Sequence, residues 1–305
     1  MSDGRWNSIP DVCEFAEVRG AAAQGGPDIL LEIPHGATRA AHFDALRRAL
    51  VGHYPDDLRD FFFVNTDVGA PELALRLALV LVAAEPRHSV AVLRSLIPRT
   101  FVDCNRVIDS TTKPKASAAG EVTPGVHTWV KDPRDLELLL ARYHAYRAQA
   151  ESLYEAVCGH GGRALMLHSY APRSIDVPVD EHVVASLRKA YRPEEIGNWP
   201  LRAEVDLIAD EPEGKTLASE ALVRALMHEL AAADLRVARC GSYTLHPGTL
   251  AHTFGTKYPG KTLCVEVRRD LLVEEFTPFA EMRADPKRVE RIALPLARAI
   301  AAADA

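Results

Sequence analysis

The chain has no paired cysteines, no long apolar run and no excess of positive charge. Its five cysteines (Cys13, Cys104, Cys158, Cys240 and Cys264) are odd in number and never spaced as CxxC. That excludes a disulfide scaffold and a thiolate zinc site. Apolar stretches such as Leu73–Ala84, interrupted by Arg76, are too short to span a bilayer. The start, MSDGRWNSIPDVCEF, lacks a cationic region followed by an apolar run, so no signal peptide is expected. Thirty-six Lys and Arg against 42 Asp and Glu leave a net charge of −6, the opposite of what phosphate neutralisation needs. These absences predict a reduced, cytoplasmic protein with no nucleic-acid and no membrane partner.

What is present is ordinary globular composition. The 305 residues are 48% hydrophobic and 26% charged, enough for a large core without staples. Strand-like and helix-like segments alternate. Strands are expected over Asp28–Ile33, Phe61–Asn65, Val90–Leu96, Ala164–Ser169, Ala203–Ile208, Leu235–Arg239 and Thr262–Arg268. Helices are expected over Thr38–Val51 (Thr38 as N-cap), Glu72–Ala84, Pro133–Cys158, Leu217–Ala233 and Pro286–Ala303. Ser110–Val126, rich in Ser, Thr, Ala, Pro and Gly, reads as a long surface loop. Strands separated by helices predict one α/β domain over 1–305, with an N-terminal segment at 1–26 and a closing helix in 285–305. Its sheet should be open, mixed and mostly parallel, with helices on both faces.

Five polar groups fall at predicted strand ends, where ligands gather in such sheets. They are Pro34-His35-Gly36, Asn65-Thr66-Asp67, the run Arg99 to Arg106 containing Asp103 and Asn105, His168-Ser169, and Glu266 with Arg268. A lone His or Asp at a strand end is commonly a cap or turn former; five on one rim suit a single reaction. A catalytic zinc takes about three N or O ligands and leaves a position for water. His35, His168 and Asp67 meet that need, with Glu32 as the alternative carboxylate. A further carboxylate can take a proton from water. Arginines can steady an oxyanion or clamp a carboxylate bidentately.

These segments together resemble a family. PHG at 34–36, NTD at 65–67, RTFVDCNR at 99–106, LMLHS at 165–169 and CVEVRRDLL at 264–272 are similar to the signature segments of N-formylglutamate amidohydrolases, in the same order, over roughly residues 28–275. The resemblance implies a zinc-carboxypeptidase-like fold related to aspartoacylases, and a Zn²⁺ cofactor on His35 and His168. It implies Glu266 as base, and Asn105 with Arg106 at the carboxylate of a small anionic N-acyl amino acid. Arg99 is expected at the oxyanion, Arg268 at a second carboxylate, and Thr253 and Tyr258 near substrate. Two departures stand out. Carboxypeptidase-like sites carry a Glu three residues after the first His, where this chain has Thr38. Formylglutamate enzymes often read PHSG, where this chain has Pro34-His35-Gly36-Ala37. The alternatives are a hydrolase of another N-acyl amino acid or small peptide, and a binding protein that kept the metal.

Rival motifs are weaker. Gly255-Thr-Lys-Tyr-Pro-Gly260-Lys261-Thr262 satisfies the phosphate-loop pattern, but a strand period follows it where a helix must start. It reads instead as a flexible turn beside the site. His228-Glu229 begins a metal helix motif that Ala232 breaks. Tyr143 and His144 read as a solvated helix face, and Cys104 as a core residue.

Overall fold

Short apolar runs supply seven strands, and helical stripes supply nine helices, in the computed structural model, which describes residues 6–303. The ends of the expected N-terminal segment and closing helix therefore lie outside the described residues. In chain order the strands are β1 (Cys13–Arg19), β2 (Ile29–Ile33), β3 (Ser89–Ser95), β4 (Arg163–Tyr170), β5 (Val205–Ile208), β6 (Val237–Arg239) and β7 (Thr262–Arg268). The helices are α1 (Ala40–Ala49), α2 (Leu58–Asn65), α3 (Ala70–Ala84), α4 (Pro133–Val157), α5 (Val183–Ala190), α6 (Pro193–Ile196), α7 (Glu220–Ala232), α8 (Leu250–Lys257) and α9 (Pro286–Ala302).

One sheet holds all these strands, in the order β1-β3-β2-β4-β7-β5-β6. Neighbours from β3 to β7 are parallel, β1 and β5 each join antiparallel, and β6 is parallel to β5. The sheet is thus mixed and mostly parallel, as expected. Side chains alternate across it. Ile29, Leu31 and Ile33 face α3, α7 and α9, whereas Leu30 faces α1, α2, α4 and α8. Each Leu-sized side chain buried there, such as Leu73, Leu77 and Leu81 of α3, contributes about 1.5–3 kcal/mol. No helix among the described residues is long and apolar enough to cross a membrane.

Four expectations need correcting. Phe61–Asn65 is not a strand but the second half of α2. A five-residue apolar run fits either state, and here Leu58–Asp60 extends it while Thr66 N–H closes a helical turn on Phe62 O at 3.1 Å. Thr38 does not cap α1. Arg39 holds that position, and Thr38 Oγ1 accepts from Arg94 at 3.3 Å. The phosphate-loop pattern is no flexible loop either: through Lys257 it is helix α8, followed by a short turn around Gly260. Tyr143 is not solvated but fully buried, its hydroxyl donating to Arg106 O at 2.7 Å. The edge strand β1 went unread because Phe15 and Ala16 stand side by side between Glu14 and Glu17 and break the alternation that marks a strand.

Candidate active site

The parallel strands β3, β2, β4 and β7 end on one rim, and the polar residues collect there. His35 follows Pro34 at the end of β2. Gly36 then permits a close approach, since a Cβ there would lie 2.4 Å from Arg94 Cγ and 3.0 Å from Ser95 O. Asp67 comes from the link between α2 and α3, rather than from a strand end. Gly69, at φ +86°, makes that link possible with Leu272 packed against it. His168 lies inside β4.

These three side chains converge. Asp67 Oδ2 lies 3.2 Å from His35 Nδ1 and 2.8 Å from His168 Nδ1. All three are buried, and their donor atoms lie within 4.8 Å of one another. Tetrahedral ligands at ~2.1 Å from one ion sit roughly 3.4 Å apart, so the donors have the span and chemistry that a zinc ion takes. Burial alone would raise the Asp67 pKa. The His35 charge and the bonds to both imidazoles outweigh it and hold that carboxyl well below its usual range. Burial likewise works against a charged His168, but the bond to Asp67, with Cys264 and Glu266 nearby, raises its pKa well above normal.

Behind the cluster lies a residue that the sequence reading assigned no role. Asp103 Oδ1 is 2.7 Å from His35 Nε2, a contact that fixes the orientation of the ring with its Nδ1 toward Asp67. Asp103 also accepts from Arg99 Nη2 at 2.8 Å and from Asn105 N–H at 2.8 Å, with Arg106 Nη1 at 3.7 Å. The RTFVDCNR segment therefore folds around its own aspartate. Its spacing was the available signal, because every polar residue in it lies within four positions of Asp103.

Two further carboxylates differ in role. Glu32 is fully buried, accepting from Tyr146 OH at 2.7 Å and Tyr154 OH at 2.8 Å. Both its oxygens are occupied, which leaves Asp67 as the carboxylate between the imidazoles. Hydrogen bonds to charged groups contribute about 1.5–3 kcal/mol. With an unfolding entropy of about 2.1 cal/mol/K per residue, Tyr154→Phe should lower Tm by about 2–5 °C in a calorimetric scan. Glu266 is the other kind. It pairs in register with His168 across β4 and β7, and its Oε2 is buried without a hydrogen-bond partner. Burial pushes its pKa up, against the pull of His168.

A cavity of about 730 Å³ opens over this rim, lined by His35, Asp67, His168, Glu266, Arg99, Asn105 and Arg106 among others. The Ser110–Val126 loop forms part of its wall through Ser117 to Thr123. Three expected residues stay apart from it. Arg268 is closed onto Asp270, with contacts of 2.9 and 3.0 Å. Tyr258 OH donates to Glu155 Oε2 at 2.7 Å, and Thr253 Oγ1 donates back to Thr249 O on α8. Neither of those two lines the cavity, because the segment expected as a loop is helical. Arg202, Arg269 and Tyr243 line it instead; Arg202 and Tyr243 come from segments with no motif, whereas Arg269 stands beside Arg268 in CVEVRRDLL, where sequence alone does not say which of the two faces the cavity.

An α/β sheet carrying a buried His–Asp–His cluster and an unpartnered carboxylate along one rim is the arrangement of a hydrolase site. The chain belongs to the N-formylglutamate amidohydrolase family, whose profile matches residues 28–273. The fold is shared with the N-formylglutamate amidohydrolase from Ralstonia eutropha, with a TM-score of 0.57 and 19% identity over 93% of this chain and 96% of that one. It is shared too with a gene product of Agrobacterium tumefaciens, with a TM-score of 0.51 and 18% identity over 95% and 96% of the two chains. Comparison with curated proteins finds no match.

Proposed function

We propose that the chain is a zinc-dependent amidohydrolase that splits N-formylglutamate into formate and glutamate. The observation that carries this reading is the unpartnered Glu266 carboxylate beside the His35–Asp67–His168 cluster, in one cavity with Asn105 and Arg106. Zinc held by the three ligands would lower the pKa of water toward ~7 and polarise the formyl carbonyl. Glu266, made more basic by burial, takes the proton of the attacking water and passes it to the leaving amine nitrogen. Asp103 keeps His35 turned toward Asp67. Arg99, anchored on Asp103, presents its positive charge to the oxyanion that develops on the formyl oxygen.

The α-carboxylate falls to Asn105 and Arg106. Asn105 Oδ1 accepts from Ala251 N–H at 3.0 Å, which leaves its amide nitrogen as the donor. Arg106 is braced by Thr123, with Nε on the backbone oxygen and Nη2 on Oγ1, both at 2.8 Å. That bracing fixes the plane of the guanidinium for a forked contact. The test is formate release from N-formylglutamate by protein supplied with zinc and by protein treated with a chelator. Turnover is expected only with metal, and absence of formate release under both conditions would overturn the reading. Arg106→Lys keeps the charge but loses the fork, so it should raise KM at least about tenfold with kcat little changed.

A further inference from the structure

We propose that Arg202 is the residue that receives the second, side-chain carboxylate of the substrate, and so sets a preference for acidic N-acyl amino acids. The inference rests on the reading above and deepens it. A dianionic substrate needs two anion receivers, and Arg268, the residue first expected there, is neutralised by Asp270. Four other arginines line the cavity: Arg99, Arg106, Arg202 and Arg269. Arg99 is paired with Asp103. Arg106 is braced by Thr123 and lies close to Asp103. Arg269 is buried, donating to Val64 O at 2.8 Å and Ser169 O at 3.1 Å, with Nε toward Ser169 Oγ.

Arg202 differs from these three. Among the described residues no carboxylate lies within ion-pair distance of it. Its guanidinium carbon lies 4.9 Å from the Tyr170 ring centre and 5.2 Å from that of Tyr243. Nη2 donates to Tyr243 OH at 2.6 Å, while its contacts to Ala171 O and Ser174 Oγ are long, at 3.4 and 3.5 Å. Its Nε is buried with no partner. Two aromatic faces thus fix the plane of a cation whose Nε–H is unsatisfied, while Nη2 on the same edge has one N–H on Tyr243 OH and a second to offer. A carboxylate engages an arginine edge through two parallel N–H bonds, and an unmatched buried donor favours a ligand that completes it.

Topology puts this cation on the far side of the cluster from Arg106. Arg106 follows β3 and Arg202 precedes β5. The strands β2, β4 and β7, which carry His35, His168 and Glu266, lie between those two in the sheet. Because β5 runs antiparallel to β7, its beginning lies on the rim where β7 ends. A small formyl group at the cluster leaves glutamate to straddle it. The short arm, its α-carboxylate, goes toward Arg106. The longer arm passes over Glu266 toward Arg202.

Steady-state kinetics of the zinc-loaded enzyme on N-formylglutamate and on the neutral isostere N-formylglutamine test the assignment. Truncating one partner of a buried charged pair weakens binding by roughly 30-fold to several thousand-fold. Arg202→Met should therefore lower kcat/KM for N-formylglutamate by about 10²-fold or more, chiefly through KM. It should change kcat/KM for N-formylglutamine less than about threefold, and Arg202→Lys should recover part of the loss. Equal losses on both substrates would overturn the assignment, since they would place Arg202 at Glu266 or in the fold. If the wild type cleaves neither substrate, the hydrolase reading itself fails, and calorimetric titration with glutarate still decides the clamp. Weaker glutarate binding by Arg202→Met than by wild type supports it. Equal binding, or none to the wild type, overturns it.

Discussion

Glu266→Gln is expected to lower kcat on N-formylglutamate by about 10²–10⁴-fold, the range that a positioned general base supplies, while zinc content stays at the wild-type value. The change is nearly isosteric and removes only the group that accepts the proton. A structural role for Glu266 would need a partner, and the two neighbours that could have supplied one are engaged elsewhere, Arg268 on Asp270 and Arg269 on Val64 O and Ser169 O. Stability separates the two roles. The folded-state pKa of Glu266 is raised by burial, so its contribution to stability is present at low pH and lost as pH rises through that value. Near neutral pH in the metal-free protein the ionised group is therefore a cost. Gln avoids it, and Tm of the variant should equal or exceed that of the wild type. A lower Tm with turnover retained per folded molecule would show that Glu266 is an ordinary buried carboxylate.

Legibility in the sequence followed the length of the physical signal. β7, Thr262–Arg268, was readable to the residue because a long alternating run between turn residues has few other solutions. The 25-residue α4 was readable because its pattern is amphipathic over a long run and glycines follow its end. The FFFV run was not, since its three consecutive buried phenylalanines carry no period, and their partners, Phe43 for Phe62 and Trp129 for Phe61, lie far away in sequence. At the site, His35, Asp67, His168 and Glu266 were found because each stands beside a strand or inside a compact polar string. Arg202 was invisible for the opposite reason. What it can bind depends on which carboxylates lie near it in space, and local sequence does not encode that. Asp103 lay in plain view inside RTFVDCNR, yet its role could not be separated from those of Arg99 and Asn105 until the chain was folded around it.

Asp67→Asn should abolish both turnover and the stabilisation that zinc confers. The substitution keeps the shape of the side chain but removes the charge that lies between His35 Nδ1 and His168 Nδ1. Outer-layer partners of metal ligands are worth about 10–100-fold in metal affinity, so loss of a ligand charge should weaken zinc binding by at least about 10²-fold. At a free zinc concentration 100 times the wild-type Kd, binding stabilises the wild type by about 2.7 kcal/mol. With an unfolding entropy of about 2.1 cal/mol/K per residue, that corresponds to a rise in Tm of about 4 °C. The same zinc should move the variant by less than about 1 °C. The dependence on pH has a definite sign. In the metal-free wild type the His168 pKa is raised and the Asp67 pKa lowered. The His168 contribution is complete below its unfolded value near ~6.5 and fades as pH rises, whereas the Asp67 contribution is present above ~3.9 and fades in acid. Metal-free stability from this cluster is therefore greatest between those values. Zinc acts the other way, since it must displace the proton from His168, so the zinc-induced rise in Tm should grow from pH 5.5 to pH 8. Thermal melts of wild type and Asp67→Asn, with and without zinc at both pH values, measure all of these shifts. A zinc-induced rise of equal size in the two proteins would place the metal elsewhere in the chain.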